Sequence, residues 1–311
     1  MANHYLGQSL ARLEDARFLT GRGTYVMNAA AERCLHAHVV RSPHGHARID
    51  GIDTKAALEI PGVVAILTEA DLAMEGIGDI PCVMSLDAAE PLIVPPRPAL
   101  ARGIVRHVGD PVAFVVAESI EAALDAAEAI EITYCPLPCV VEARAAVAPT
   151  APRIWPQAPN NSAFLFRKGD AEAVEAAMAA AAHIVECELI NNRVVPAPLE
   201  PRAALGEYDA ERDLLHLTYT GQAVHGIRNQ LAETISRLPA ERLHLTVPDV
   251  GGGFGMKNYM YPEWVLVLFA ARRLGRPVRW VSERVEDFVS STHGRDHFSQ
   301  ARLALDADGR F

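Results

Sequence analysis

Residues 250–257 read Val250-Gly251-Gly252-Gly253-Phe254-Gly255-Met256-Lys257, with four glycines in five positions. Because glycine has no Cβ, such a stretch leaves backbone N–H groups accessible and lets a ligand approach the main chain closely. Residues 243–247 before it alternate apolar and polar side chains like a strand, and residues 261–274 after it have a helical pattern. A strand, a bare loop and a helix together favour anion binding, since amides and the positive helix end point toward the ligand.

The same loop lacks the residues of two common phosphate sites. A P-loop requires Ser or Thr after Gly-Lys, whereas here Met256 precedes Lys257 and Asn258 follows it. The dinucleotide fingerprint requires glycine at relative positions one, three and six, and the sixth position is Met256 or Asn258 for the two possible starts. A nucleotide triphosphate site and a Rossmann site are therefore excluded. The alternatives are a different ligand or a tight turn without one.

Composition limits the function classes. The chain has 311 residues, half of them hydrophobic, and a formal net charge of −10. The length predicts two domains. The acidic balance argues against a nucleic-acid partner, because phosphate contacts require a basic surface. No apolar run approaches the ~20 residues of a membrane span, and no signal-peptide pattern is visible, so we expect a cytoplasmic protein.

The five cysteines are scattered and odd in number, which predicts reduced thiols. Cys135 and Cys139 are four positions apart, but prolines intervene, and no second pair or His-x-x-His motif completes a zinc set. We expect no metal ligands here and interpret the two cysteines as small buried residues.

Local patterns divide the chain into three segments, and the first and last of them are predicted to contain strands and helices. The segments are residues 1–142 with an N-terminal arm and a loop at 80–98, a proline-containing linker at 143–167, and residues 168–311. Ser119 and Asp170 are predicted helix N-caps, and Gly275 a helix end. Residues 112–117, 131–134, 185–189, 215–219 and 278–281 are predicted strands, the third half-exposed, and positions 224, 227, 231 and 235 have helical spacing.

Six segments, in order, resemble one family. They are RLEDARFLTG (12–21), RSPHGHA (41–47), VGDPVA (108–113), LEPR (199–202), TGQ (220–222) and the glycine loop through position 257. Together they resemble the large, molybdenum-binding subunit of the xanthine oxidase and aldehyde oxidase family, particularly its carbon monoxide dehydrogenase-like bacterial members.

This resemblance implies an α+β fold, with an α/β hammerhead domain followed by the first part of a molybdopterin-binding α/β domain. The implied cofactor is molybdenum held by molybdopterin, in bacterial members often as the cytosine dinucleotide. The family oxidises a small substrate with oxygen derived from water. Electrons leave through iron–sulfur and FAD subunits, which are the expected partners.

The resemblance also implies site residues. Gln222 matches the glutamine whose amide donates to an oxo ligand of the metal, and its alternative is a solvent-facing residue at a helix start. The loop residues Gly252, Gly253, Phe254 and Gly255 would lie against the pterin. Phe254 would form a wall of the substrate pocket, or else belong to the core.

Two further positions carry alternatives. Arg295 corresponds to a substrate-orienting arginine, unless it forms a structural ion pair with Asp296. Lys257 would neutralise a phosphate, or else be a solvated residue. Asn258 departs from the glutamate of purine-oxidising members, which argues against a purine substrate. Glu200 is expected to anchor a backbone turn.

Family members are more than twice as long, and their proton-accepting glutamate lies near the C-terminus. We therefore expect either a fragment or a split subunit whose second chain supplies the rest, and little activity from this chain alone. A non-catalytic remnant or assembly scaffold is the alternative. A protein that binds plain phosphate through the glycine loop is a third interpretation, which the missing Ser or Thr disfavours.

Overall fold

The computed structural model describes residues 5–85, 91–235 and 238–311. Parts of the predicted arm (1–4) and of the predicted 80–98 loop (86–90) lie outside the described residues, as does the side chain at position 235. The strands are β1 Leu35–Arg41, β2 Ala47–Asp53, β3 Val63–Leu67, β4 Ile104–Val105, β5 Pro111–Ala117, β6 Glu131–Pro136, β7 His183–Asn191, β8 Ala203–Asp209, β9 Leu214–Tyr219, β10 Leu243–Thr246, β11 Val278–Val281 and β12 His297–Leu305. The α-helices are α1 Asp15–Leu19, α2 Lys55–Leu58, α3 Glu69–Met74, α4 Ile120–Ala129, α5 Ala143–Ala146, α6 Ala171–Ala180, α7 Val224–Gln230, α8 Pro262–Leu274 and α9 Arg284–Ser290.

A seven-stranded sheet forms the centre of the molecule, in the order β10-β9-β8-β11-β1-β5-β3. β1 lies parallel to β11, with Leu35 opposite Val278, and antiparallel to β5. The sheet thus takes strands from both sides of the predicted linker. Helix α8 packs on this sheet, and its residues 262–271 are all buried. A helix that is apolar nearly all round requires burial on every side.

Two smaller sheets complete the fold: β4-β2-β6 and the ribbon β12-β7. The predicted strand–helix–strand unit at 112–134 forms, but β5 and β6 belong to different sheets. Ala123 and Ala126 of α4 are fully buried and pack against the apolar residues of β5. Local periodicity therefore identified these elements but not their strand partners.

Burial of the ribbon differs from the prediction. Alternation at 185–189 predicted a strand with one buried face, but every residue of β7 is exposed. Val185 is 55% and Leu189 is 58% exposed. The prediction of a half-exposed strand is wrong. β7 pairs with β12 in a two-stranded ribbon, and the helices α5 and α6 contact β12, so β7 gains no buried face.

The predicted helix ends are confirmed. The Ser119 and Asp170 side chains accept hydrogen bonds from the backbone N–H groups of Ala122 and Ala173. Gly275 ends α8 in the left-handed region, at a φ of 63°. In the described part of the chain, no helix is long and apolar enough to cross a membrane.

Candidate cofactor site

The glycine loop follows β10 and ends in a short 3-10 turn, Met256–Asn258. Gly252 and Gly255 have φ angles of 97° and 84°, which a side chain would strain. At Gly253 the reason for glycine is contact, since an added Cβ would lie 2.6 Å from the side-chain amide carbon of Gln222. An added Cβ at Gly255 would meet nothing within 4 Å, so the main chain there borders open space.

Gln222 is brought against this loop by two hydrogen bonds. Its side-chain Oε1 accepts from the backbone N–H of Gly255 at 3.2 Å, and its own backbone N–H donates to the carbonyl of Lys257 at 3.0 Å. Because the Oε1 faces an N–H group, the Nε2 hydrogens point elsewhere, and they have no partner among the described residues. The site thus presents a neutral, exposed hydrogen-bond donor beside a bare backbone.

Phe254 lies on the open side of the loop. Its side chain is 75% exposed, so the alternative in which it belongs to the core is wrong. Its φ of 51° is uncommon for a residue with a side chain, and such strain is concentrated at functional sites. The ring covers Gly252, where an added Cβ would approach it to 2.9 Å. The predicted pocket-wall role stays a prediction.

Lys257 lies beneath the loop, and the alternative in which it is solvated is wrong. Its side chain is fully buried, and its Nζ donates to the Glu200 backbone carbonyl at 2.8 Å and to the Glu200 carboxylate at 3.1 Å. Burial lowers the pKa of the Lys257 amino group, partly opposed by the Glu200 charge. The same carboxylate accepts the Gly251 N–H at 2.7 Å, which is the turn-anchoring role expected of Glu200. The predicted phosphate contact of Lys257 stays a prediction, with the amino group enclosed against Glu200.

A buried ionic network lies under this pair. Arg202 bridges Glu263 and Asp287, each at 3.0 Å, and Arg41 of β1 reaches Glu263 at 2.5 Å. Burial alone would raise the pKa of the Glu263 carboxyl, but the charges of Arg202 and Arg41 outweigh it, and the pKa lies below its ordinary value. The network joins the predicted first segment to the helix that follows the loop. The sequence feature that marks the network is Glu263, which directly precedes the apolar run 264–271 of α8.

Tyr261 holds the far end of the loop. Its hydroxyl donates to the Met256 carbonyl at 2.9 Å and accepts from the backbone N–H of Thr292 at 3.1 Å. The Arg202 guanidinium lies over its ring at 4.0 Å, a cation–π contact. Burial raises the pKa of the phenol, which keeps it a neutral donor.

The N-terminal arm holds the near end. Both carboxylate oxygens of Asp249, two residues before Gly251, accept from the Arg17 guanidinium. The same carboxylate accepts the Thr24 backbone N–H at 2.7 Å. These hydrogen bonds, the Arg17 bond first, hold the pKa of Asp249 well below its usual range. Sequence inspection gave no indication of this contact.

Arg295 lies elsewhere. Asp296 pairs with Arg193 at 2.5 Å, so the predicted alternative of an Arg295–Asp296 ion pair is wrong. Arg295 lines a separate cavity that residues 250–258 do not border. The structure thus brings Gln222 and the glycine loop together but does not bring Arg295 to them. Its substrate-orienting role stays a prediction. Asn258 is exposed at the end of the loop, where its N–H donates to the Gly255 carbonyl at 3.3 Å.

Comparison with known proteins gives two family matches. Residues 154–311 match the molybdopterin cofactor-binding domain, and residues 20–138 match the aldehyde oxidase and xanthine dehydrogenase a/b hammerhead domain. The nicotine 6-hydroxylase large subunit of Paenarthrobacter nicotinovorans is 35% identical over 310 residues, which cover 100% of this chain and 37% of that protein. The carbon monoxide dehydrogenase large chain of Afipia carboxidovorans is 35% identical, over 98% of this chain and 38% of that one.

Comparison with solved structures leads to the same family. Quinoline 2-oxidoreductase from Pseudomonas putida 86 superposes with a TM-score of 0.86 at 35% identity, covering 98% of this chain and 38% of that chain. The Cu,Mo-CO dehydrogenase gives a TM-score of 0.87 at 34% identity, over 97% and 38%. The chain spans about 38% of the length of these relatives. The predicted α+β fold, a hammerhead domain followed by molybdopterin-binding sequence, is confirmed. The chain therefore belongs to the molybdopterin cofactor-binding family of xanthine oxidase and aldehyde oxidase-type large subunits, and corresponds to their N-terminal part.

Proposed function

We propose that this chain forms the glycine-loop side of a molybdopterin site in a molybdenum hydroxylase that oxidises a small substrate with oxygen from water. One observation carries the proposal: the Gln222 amide is fixed on the Gly255 N–H and occupies the space that a Cβ at Gly253 would fill. A bare backbone and a neutral donor are thereby held side by side. That pairing suits a bulky anionic pterin carrying a metal.

The residues present fit the proposed cofactor. The main chain of Gly252, Gly253 and Gly255 would lie against the pterin, and the open space at Gly255 would allow its closest approach. The Nε2 of Gln222 would donate to an oxygen bound to the metal, which stabilises charge there without transferring a proton. When bound, the molybdenum cofactor accepts the electrons released by substrate oxidation.

Phe254 would contribute a wall of the substrate pocket, because its exposed ring stands on the open side of the loop. Asn258 cannot supply the carboxylate that the resemblance associates with purine oxidation. We therefore propose a substrate other than a purine, oxidised at a carbon next to nitrogen or oxygen, or carbon monoxide. The names of the similar proteins include nicotine, quinoline and carbon monoxide enzymes, which is compatible with this range.

The remaining components are proposed from the family. They are the cytosine dinucleotide form of the pterin, an iron–sulfur subunit, an FAD subunit and cytoplasmic assembly. A carboxylate that accepts the substrate-derived proton is also required. We propose that polypeptide outside residues 1–311 supplies it, in this chain's own protein or in a second chain.

Metal and pterin analysis of the protein purified from its native host, with its partners, tests the proposal. We expect molybdenum and pterin close to one per chain. A stable complex with its partners that contains neither would contradict the proposal and favour the scaffold alternative.

A further inference from the structure

The chain contains a second candidate binding site, away from the glycine loop. We propose that a cavity of about 770 Å³, here named the arginine cavity, binds the phosphate or carboxylate groups of a small polyanionic ligand. Its charged and imidazole-bearing lining consists of Arg97, Arg106, His107, Arg193, His293, Arg295 and Asp296. None of residues 250–258 borders it, so Arg295 would bind this ligand here and would not orient a substrate at the glycine loop.

The charge of this lining is opposite to that of the whole chain. Four arginines and one aspartate border the cavity, while the chain carries a formal net charge of −10. Positive charge concentrated in a concave, partly enclosed space raises the local concentration of anions. The cavity is thus an anion-attracting site on an acidic protein.

Two of the four guanidinium groups are already occupied. Arg193 binds Asp296 through two nitrogens, at 2.5 and 3.0 Å. The Arg106 guanidinium lies 3.5 Å over the Trp155 ring and donates to the carbonyl of Ile104 at 3.2 Å. These contacts hold both side chains in place at the cavity wall.

Arg97 and Arg295 are different. Within residues 5–85, 91–235 and 238–311, neither guanidinium has a hydrogen bond or an ion pair. The carboxylates that attract Arg97 are engaged elsewhere: Glu263 by Arg41 and Arg202, and Asp110 by the Arg106 backbone N–H at 2.8 Å. Desolvation lowers the pKa of Arg97. Arg97 is exposed where it lines the cavity, so an anion that enters can reach its guanidinium.

The lining also indicates the ligand class. Guanidinium groups match the oxygen geometry of phosphate and carboxylate and bind both in a bidentate manner. Val108, Val141, Ile154 and Phe288 form apolar parts of the wall, against which an organic body can pack. The volume lies within the roughly 300–1,000 Å³ range of small-molecule sites. A small organic molecule with two or more anionic groups fits these features.

Isothermal titration calorimetry with inorganic pyrophosphate and with malonate, on the protein purified with its partners, tests this assignment. We expect saturable binding of at least one anion, weakened about tenfold or more in Arg97→Gln and in Arg295→Gln, because each removes a charge-assisted hydrogen-bond donor. Tighter pyrophosphate binding would assign the site to phosphates, and tighter malonate binding to carboxylates. Arg102→Gln is the matched control, since Arg102 is half-exposed and pairs with Glu69 and Asp79.

Anion binding should be unchanged in Gly253→Ala, because the added Cβ meets Gln222 and neither residue borders the arginine cavity. That variant separates failure of this proposal from failure of the proposed function. If neither anion binds saturably, or if the Arg97 and Arg295 variants bind like the Arg102 control, the assignment is wrong. Both arginines are exposed, so neither substitution disturbs the core; should Arg97→Gln nevertheless fail to fold, Arg295→Gln alone decides the question.

Discussion

Lys257 and Glu200 are joined beneath the glycine loop by two hydrogen bonds of 2.8 and 3.1 Å, although they lie 57 residues apart. The Glu200 carboxylate also binds the N–H of Gly251 at 2.7 Å. One carboxylate thus fixes the first glycine of the loop and the lysine at its end. The backbone path between them, with Gln222 against it, is supported from below.

Replacing Lys257 by methionine should destabilise the protein strongly. The substitution keeps the length of the side chain but leaves the Glu200 carboxylate partly buried without its cation, which typically costs about 3 kcal/mol or more. Urea unfolding followed by circular dichroism measures the change. Lys168→Met is the control, because Lys168 is exposed and should change stability by less than about 0.5 kcal/mol.

The double variant Lys257→Met with Glu200→Gln sharpens this prediction. Removing both charges abolishes the uncompensated carboxylate, so the double variant should be more stable than Lys257→Met alone. Equal stability of the two variants would show that the pair does not couple as described.

Gln222→Glu should separate cofactor binding from turnover. The carboxylate can still accept the Gly255 N–H, but it lacks the amide hydrogens proposed to donate to the metal-bound oxygen. We expect pterin and molybdenum to remain while turnover per molybdenum falls by about 100-fold or more. Gln230→Glu, at the end of the helix α7 that follows Gln222, is the control, since that side chain donates to the Gly226 carbonyl. Turnover within a few-fold of wild type in Gln222→Glu would count against the proposed donor.

Attachment of the N-terminal arm should depend on pH through Asp249. Its folded pKa lies below the unfolded value, so its contribution to stability is present above about pH 4 and lost as the pH falls further. At pH 6, Asp249→Asn should expose arm amides to hydrogen exchange that wild type protects, and this difference should shrink steadily as the pH falls below about 4 toward the lowered folded pKa. Asp50→Asn, which removes only a local pair with Arg48, should leave the arm protected. Equal protection of wild type and Asp249→Asn at pH 6 would refute this dependence.

Much of the secondary structure follows from local sequence. Ser119, Asp170 and Gly275 mark helix ends because capping uses groups within a few residues. The pairing of β1 with β11 does not follow, since Leu35 and Val278 are 243 residues apart and periodicity specifies a strand without naming its neighbour. The exposed ribbon was mispredicted for a similar reason: alternation describes a strand, not what covers it.

In the candidate site, too, motifs could be predicted from the sequence, whereas contacts between distant residues could not. Residues 250–255 identified the loop, and family resemblance identified Gln222. Burial of Lys257 could not be predicted, because a lysine is ordinarily exposed and only the distant Glu200 makes its enclosure tolerable. The predicted Arg295–Asp296 ion pair does not form, because the Asp296 carboxylate accepts hydrogen bonds from Arg193 instead. Arg193 lies 103 residues from Asp296 in the sequence.

The most direct test of the central claim is pterin content per chain in Gly253→Ala compared with Gly226→Ala. An added Cβ at Gly253 meets the Gln222 side chain at 2.6 Å, whereas at Gly226 nothing lies within 4 Å. If the pterin binds against the bare backbone beside Gln222, the Gly253→Ala variant should fold but lose most of its pterin, while Gly226→Ala should keep its pterin. Equal pterin content in both folded variants would contradict the account.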